Sequence, residues 1–214
     1  YGVGSVFIID PAYTLPLLVG TLWALRRGGT GRGLAANAAG LVLSTAYLGW
    51  SVAAQQHVER IARESLAQQG IAAERLLVTP APFNTVLWRV VAMAGPDYHE
   101  GFYSLLDEHP RIAFDRFDRG TALSGELMGI DGVRRIAAFS HGFFKLHAEG
   151  PHLLVTDLRM GQEPGYVFSF VVAERRSPTQ ALAVARQVGG RIDLERGLPW
   201  LWRRLQGEPL PPPR

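Results

Sequence analysis

The sequence predicts an α+β fold, in which a two-helix transmembrane hairpin (1–56) precedes a soluble domain (57–207) with an antiparallel sheet and flanking helices. Long apolar stretches are concentrated before residue 57. Residues 76–176 instead contain short runs rich in Val, Ile and Phe, separated by turn residues, which is typical of strands. The Pro-rich residues 208–214 are predicted to be disordered.

The first helix is predicted over residues 11–26. Asp10 followed by Pro11 is a helix-start signal, because Asp caps free N–H groups and Pro loses no hydrogen bond at the first helical position. Two interpretations of Asp10 stay open: an N-cap, or a carboxylate in a polar site between helices, since ionisable groups at membrane depth are usually functional. The arginine-rich turn 26–32 favours a cytoplasmic loop and an extracytoplasmic soluble domain.

The second helix is predicted over residues 33–56, which carry no charged side chain. This segment exceeds the ~20 residues that cross a hydrocarbon core, and a buried core helix is the alternative. Ala36, Gly40 and Ser44 recur every four residues and form a stripe against which another helix can pack closely. We therefore expect antiparallel helices with Gly20 of the first helix facing this stripe.

The soluble domain is predicted to begin with a helix over residues 57–69. Five later stretches indicate strands, namely TVLWRVVAM, RIAFDRF, RRIAAFSHGFFKL, HLLVTDLRM and YVFSFVVAE. Because no helix of crossover length separates the last strands, one antiparallel sheet is expected. Ser177-Pro178 predicts a further helix start, and LPWLWRRLQG (198–207) predicts a final amphipathic helix.

Composition excludes several classes of function. The formal charge is +3, but the arginines are scattered among acidic residues and Lys145 is the single lysine, so a nucleic-acid groove is not expected. The chain contains no cysteine, which excludes disulfides and thiolate metal sites. The six histidines lack the spacing of a zinc motif, and structural or surface positions are expected for them.

Two clusters of polar residues are candidates for chemistry. Asp157 and Arg159 are two apart, so a strand would place both side chains on one face, although a surface ion pair is the simpler explanation. Asn84, Trp88 and Arg89 form a polar and aromatic group at a strand start. The alternative for this group is a buried tryptophan beside an amide that satisfies a turn.

Three stretches resemble the YdjM-type inner-membrane proteins of bacteria, which are described as membrane-bound metal-dependent hydrolases: VFIIDPAYTLPLL, TPAPFNTVLWRVV and VTDLRMGQEPGYVFSFVVA. The ordered set carries the resemblance, and none of the three is a mechanistic signature alone. The family's presumed metal ligands lie in further membrane helices with His and Asp motifs. The resemblance thus implies that this chain, which begins at Tyr1, is the C-terminal portion of such a protein.

The resemblance implies a divalent ion, zinc or manganese, in the full-length protein, while metal ligands within this chain are unknown. It implies the lipid bilayer and upstream transmembrane helices as partners. We expect this chain alone to show no hydrolase turnover. A non-enzymatic membrane-anchored domain that binds an envelope component or a protein partner is the alternative. The candidate site residues are Asp10, Asp157 and Arg159 for catalysis and Asn84, Trp88 and Arg89 for substrate binding.

Overall fold

The computed structural model describes residues 4–28, 31–176, 179–190 and 194–214. It has an α+β architecture in which a helical hairpin precedes antiparallel sheets, as the sequence predicts. The hairpin consists of α1 (Pro11–Arg26) and α2 (Gly31–Gln68). Asp10 is the N-cap of α1, where its side chain accepts a hydrogen bond of 2.9 Å from the backbone N–H of Ala12.

Glycines allow the two hairpin helices to come into backbone contact. A Cβ at Gly20 would lie 2.9 Å from the carbonyl oxygen of Ala36, and a Cβ at Gly40 would lie 2.4 Å from that of Pro16. The Cβ position of Gly40 is also only 3.6 Å from the Cα of Gly20. The predicted antiparallel packing, with Gly20 facing the Gly40 stripe, is confirmed.

The prediction that this hairpin spans a membrane is wrong. Within the described part of the chain, no helix combines the length and the apolar content that a bilayer crossing requires. The 16 residues of α1 are about 24 Å long at 1.5 Å per residue, short of a ~30 Å core. In α2, glycine, serine, threonine and asparagine dilute the apolar residues. The predicted spans 11–26 and 33–56, the inner-membrane location and the extracytoplasmic placement are corrected accordingly.

The helix α2 is continuous across residue 56, where the sequence suggested a boundary between hairpin and domain. Beyond this point Val58, Ile61 and Ala62 are buried against one face of the first sheet, in a core cluster that includes Trp88. The predicted helix at 57–69 is therefore the second half of α2, and it packs the hairpin directly onto the sheet domain.

Two four-stranded sheets, both antiparallel, form the rest of the core, with a short two-stranded ribbon. The first sheet has the order β1-β2-β3-β4 and the second β10-β9-β6-β5, while β7 and β8 form the ribbon. The strands are β1 (Arg75–Pro80), β2 (Leu87–Ala94), β3 (Asp97–Ser104), β4 (Phe114–Asp118), β5 (Phe144–Glu149), β6 (His152–Asp157), β7 (Gly161–Gln162), β8 (Gly165–Tyr166), β9 (Ser169–Glu174) and β10 (Gln180–Gln187).

The antiparallel direction was predicted correctly, but the single sheet over 76–176 was not. A helical connection separates β4 from β5: a 3₁₀ turn at Thr121–Leu123, α3 (Ser124–Leu127) and α4 (Asp131–Phe139). The stretch predicted as a strand from residue 134 is thus helical up to Phe139. Val133 and Ile136 are three residues apart and pack together on the second sheet, a helical rather than an alternating pattern.

The last part of the chain also differs from the prediction. Ser177 and Pro178, the expected helix start, lie outside the described residues, and residues 180–187 form β10 rather than a helix. The helix predicted at 198–207 is present as α5 (Leu194–Leu205). The residues after it, predicted to be disordered, lie against the first sheet, where Leu210 joins a cluster with Trp200.

Candidate functional site

Asp10 lies at the junction of the hairpin and the sheet domain. Its carboxylate is buried and accepts a 2.8 Å hydrogen bond from the Tyr47 hydroxyl, to which the Thr85 hydroxyl donates at 3.0 Å. Burial raises the pKa of Tyr47 to about 12; the Thr85 bond opposes this shift and Asp10 reinforces it. Both oxygens of Asp10 are thus engaged in holding α1, α2 and the 81–86 loop together.

Asn84 and Trp88 have the local roles that the simpler interpretation gave them. The Asn84 side-chain oxygen accepts hydrogen bonds from the backbone N–H groups of Val86 (2.9 Å) and Leu87 (2.7 Å). Its amide donates to the Pro82 carbonyl. Trp88 is fully buried, and its indole N–H donates to the Thr85 carbonyl at 3.0 Å. Together these bonds shape the turn that leads into β2.

Arg89 points to the opposite side of the first sheet from Trp88, as neighbours on a strand do. Its guanidinium is buried and pairs with Glu100 on β3 at 2.5 Å. It also donates to the carbonyl of Leu158 at 2.8 Å and lies over the ring of Tyr166. Burial alone would lower the pKa of Arg89, but the Glu100 carboxylate raises it above its ordinary value.

Asp157 and Arg159 form an ion pair at the end of β6. The distance between Asp157 Oδ2 and Arg159 Nη2 is 2.7 Å, and the Arg159 backbone N–H donates to Asp157 Oδ1 at 2.9 Å. Asp157 is buried, while Arg159 is partly exposed and lies over the ring of Phe139. Because Arg89 binds the intervening Leu158 carbonyl, the predicted proximity of this pair to the 84–89 segment is confirmed.

The structure adds five residues to Arg89 that the sequence did not single out as a site. Lys145 and Glu163 are paired at 2.5 Å, and the Tyr98 hydroxyl also donates to Glu163. The Glu163 backbone N–H donates to Glu100 at 3.3 Å, which joins the two ion pairs. We call this group the buried polar cluster: Arg89, Tyr98, Glu100, Lys145, Glu163 and Tyr166.

Burial and neighbouring groups shift the pKa values of Glu163, Tyr98 and Tyr166 in the buried polar cluster. Burial acts to raise the pKa of Glu163, but hydrogen bonds from Lys145 and Tyr98 outweigh it and the net shift is downward. The pKa values of Tyr98 and Tyr166 are raised above the ordinary range of tyrosine, chiefly by burial. Besides Arg89, the sequence points to this cluster only through Lys145, the single lysine of the chain, whose partner Glu163 lies 18 residues further along.

No group of three His, Cys, Asp or Glu side chains that could hold a metal ion occurs in the described ranges. The zinc or manganese ion implied by the resemblance stays a prediction about the full-length protein. Each acidic member of the buried polar cluster has a cationic partner, so the arrangement is suited to fixing two sheets and a ribbon together.

A large exposed apolar area lies elsewhere, on the hairpin and the residues before it. We call it the hairpin surface. It consists of fourteen large apolar side chains that are exposed in this chain: Ile8, Ile9, Leu15, Leu18, Val19, Leu22, Trp23, Leu25, Leu34, Leu41, Val42, Leu43, Leu48 and Trp50.

A scan against protein-family models and searches of curated proteins and of solved structures find no match for this chain. The family resemblance and the hydrolase activity that it implies therefore stay predictions.

Proposed function

We propose that this chain is a non-enzymatic binding module whose hairpin surface docks among the apolar helices of a protein partner. The observation that carries this proposal is the exposure of large apolar side chains on both helices of the hairpin. The sheet domain is attached to the hairpin. Binding at the hairpin surface would therefore also fix the position of the sheet domain relative to the partner.

The size of the hairpin surface supports an interface. At roughly 150 Å² for a fully exposed large side chain, fourteen side chains that are about half exposed leave on the order of 1,000 Å² uncovered. The largest apolar patch of a typical monomer is ~300–600 Å². Each side of a standard protein–protein interface covers about 800 Å². The hairpin surface is thus larger than the apolar patch of a typical monomer and about as large as one side of a standard interface.

The distribution of the exposed residues indicates what kind of partner fits. Leu41, Val42 and Leu43 are consecutive and are 58%, 65% and 61% exposed. Consecutive helical residues are about 100° apart, so these three cover about 200° of the helix. With the remaining face of the helix packed on α1, this wide apolar arc is typical of a helix inside a bundle. One flat surface, such as that of a second copy, would leave part of it exposed, whereas several partner helices would cover it.

Hydrogen bonds fix the hairpin to the sheet domain, so docking would orient the whole chain. The Gln55 side chain on α2 donates to the β1 carbonyl of Val78 at 2.8 Å. Tyr47 connects α1 with the 81–86 loop through Asp10 and Thr85. These contacts connect both hairpin helices to β1 and to the 81–86 loop, and they would transmit the position of the hairpin to the first sheet.

Site-specific photocrosslinking in the cells that produce the chain tests this proposal. A benzophenone amino acid at Trp23 or Trp50, one on each helix, should give a crosslinked product with the same partner protein. Trp202 on α5 is the matched control, because it is a tryptophan outside the hairpin surface that is at least as exposed as the two test positions. It should give no such product.

Three results would contradict the proposal. They are a product that contains only a second copy of the chain, a product that contains only lipid, and equal crosslinking from the control position. The first would replace the helical partner with self-association, and the second would replace it with a lipid surface.

A further inference from the structure

An arginine from the Pro-rich segment 208–214 is bound on the first sheet. The Arg214 guanidinium lies 2.6 Å from Asp115 Oδ2 and 3.4 Å from Glu100 Oε1, and its central carbon is 4.5 Å from the centre of the Phe117 ring. We propose that this is a guanidinium-binding site for an arginine side chain of a peptide segment. Arg214 occupies it as a tethered ligand.

The strand register assembles the site. In the β3–β4 pair, Glu100 is directly opposite Asp115, and Tyr98 is directly opposite Phe117. Directly opposite residues of an antiparallel pair, and residues two apart on a strand, share one face of the sheet. Two carboxylates and an aromatic ring are thus side by side, which suits a flat cation that both donates hydrogen bonds and stacks.

Two of the three members of the site, Glu100 and Phe117, are held in place by contacts that do not involve Arg214. Glu100 is fixed by Arg89, whose Nε donates at 2.8 Å, and by the Glu163 backbone N–H. The Phe117 ring stacks on Tyr98 with centroids 5.3 Å apart. Release of Arg214 would therefore leave a preformed site, and preorganisation reduces the cost of binding another arginine.

The charges around the site favour a cation. Without Arg214, three carboxylates (Glu100, Asp115 and Glu163) face the two cations Arg89 and Lys145. One further positive charge balances the group. A guanidinium fits better than an ammonium group, because its fork of N–H groups reaches two carboxylates while its plane lies over a ring.

Exchange with an external arginine is feasible because the Arg214 side chain remains 30% exposed. The pair with Asp115, whose side chain is 56% exposed, is weak, so the tether supplies much of the occupancy. A short tether gives an effective concentration in the millimolar range. The three prolines before Arg214 stiffen the segment and limit the alternative positions of its side chain.

Titration by NMR tests the site in the full chain. The Arg214→Gln variant removes the tethered guanidinium and leaves the prolines in place. The probe is N-acetyl-arginine-methylamide in the millimolar range, which matches the effective concentration of the tether. We expect saturable shifts of the Glu100, Asp115 and Phe117 amides that are several-fold larger in the variant than in the wild-type chain.

Two controls make the outcome decisive. The lysine analogue of the probe should give much smaller shifts, and Asp115→Asn added to Arg214→Gln should remove saturation by the arginine probe. If the variant responds equally to both probes, or shows no saturable shift while keeping its fold, the inference is wrong. Should Arg214→Gln lose the fold, Arg214→Lys replaces it, with the same expected preference for the arginine probe.

Discussion

Adding one methyl group at Gly40 should separate the hairpin helices. A Cβ at this position would lie 2.4 Å from the Pro16 carbonyl oxygen, whereas ordinary contacts begin at 3.4 Å. One of the two backbones must therefore move by about 1 Å in a closely packed seam. Overpacking of this kind costs about 1–3 kcal/mol.

Gly49 provides the matched control for this prediction. It lies in the same helix, and a Cβ there would meet nothing within 4 Å. Gly→Ala in a helix interior stabilises by roughly 1 kcal/mol through helix propensity alone, and this gain applies to both positions. The difference in the free energy of unfolding between Gly40→Ala and Gly49→Ala should therefore be about 1–3 kcal/mol, with Gly49→Ala the more stable.

Urea unfolding followed by far-ultraviolet circular dichroism measures this difference. The slope of the transition should be the same for both variants, since neither changes the surface exposed on unfolding to a large extent. Equal midpoints for Gly40→Ala and Gly49→Ala would refute the close packing of α1 on α2. A Gly49→Ala variant that is the less stable of the two would do the same.

Three further predictions concern the sheet domain. Lys145→Met should destabilise by about 3 kcal/mol in urea unfolding, because Glu163 stays buried without its cation, and adding Glu163→Gln should restore part of the loss. The folded-state pKa of Glu163 is lowered from 4.5, so ionised Glu163 stabilises the fold above pH 4.5, and this stabilisation is lost as the pH falls through the folded-state pKa. In thermal melts, Glu163→Gln should therefore lose less stability on acidification than the wild-type chain. Asn84→Ala should cost about 1 kcal/mol by loss of two accepted hydrogen bonds, whereas Asn84→Asp, which keeps an acceptor, should cost less.

Local features of this fold could be predicted where neighbouring residues decide them. The Asp10-Pro11 pair determines the start of α1, and the spacing of small residues determines which faces of α1 and α2 meet at Gly20 and Gly40. The turn role of Asn84 likewise depends on backbone groups only two and three residues away. These are short-range effects, and the sequence displays them directly.

Features that depend on distant contacts were not predictable in the same way. The pairing of Lys145 with Glu163 requires β5 to meet the ribbon, and the Arg89–Glu100 pair requires the β2–β3 register. The membrane spans were predicted from a long uncharged segment, but the absence of charge does not by itself supply enough apolar content. The strand predicted from residue 134 failed because tertiary packing selected the helical period of α4.

Native mass spectrometry of the chain purified from its own cells without detergent tests the binding module most directly. We expect the chain in a defined complex with a second, different protein. The same measurement on the Leu18→Arg/Val42→Arg variant, which places charges on the hairpin surface, should show the chain without that protein. A wild-type chain found alone, only in multiples of its own mass, or only with bound lipid would contradict the proposed function.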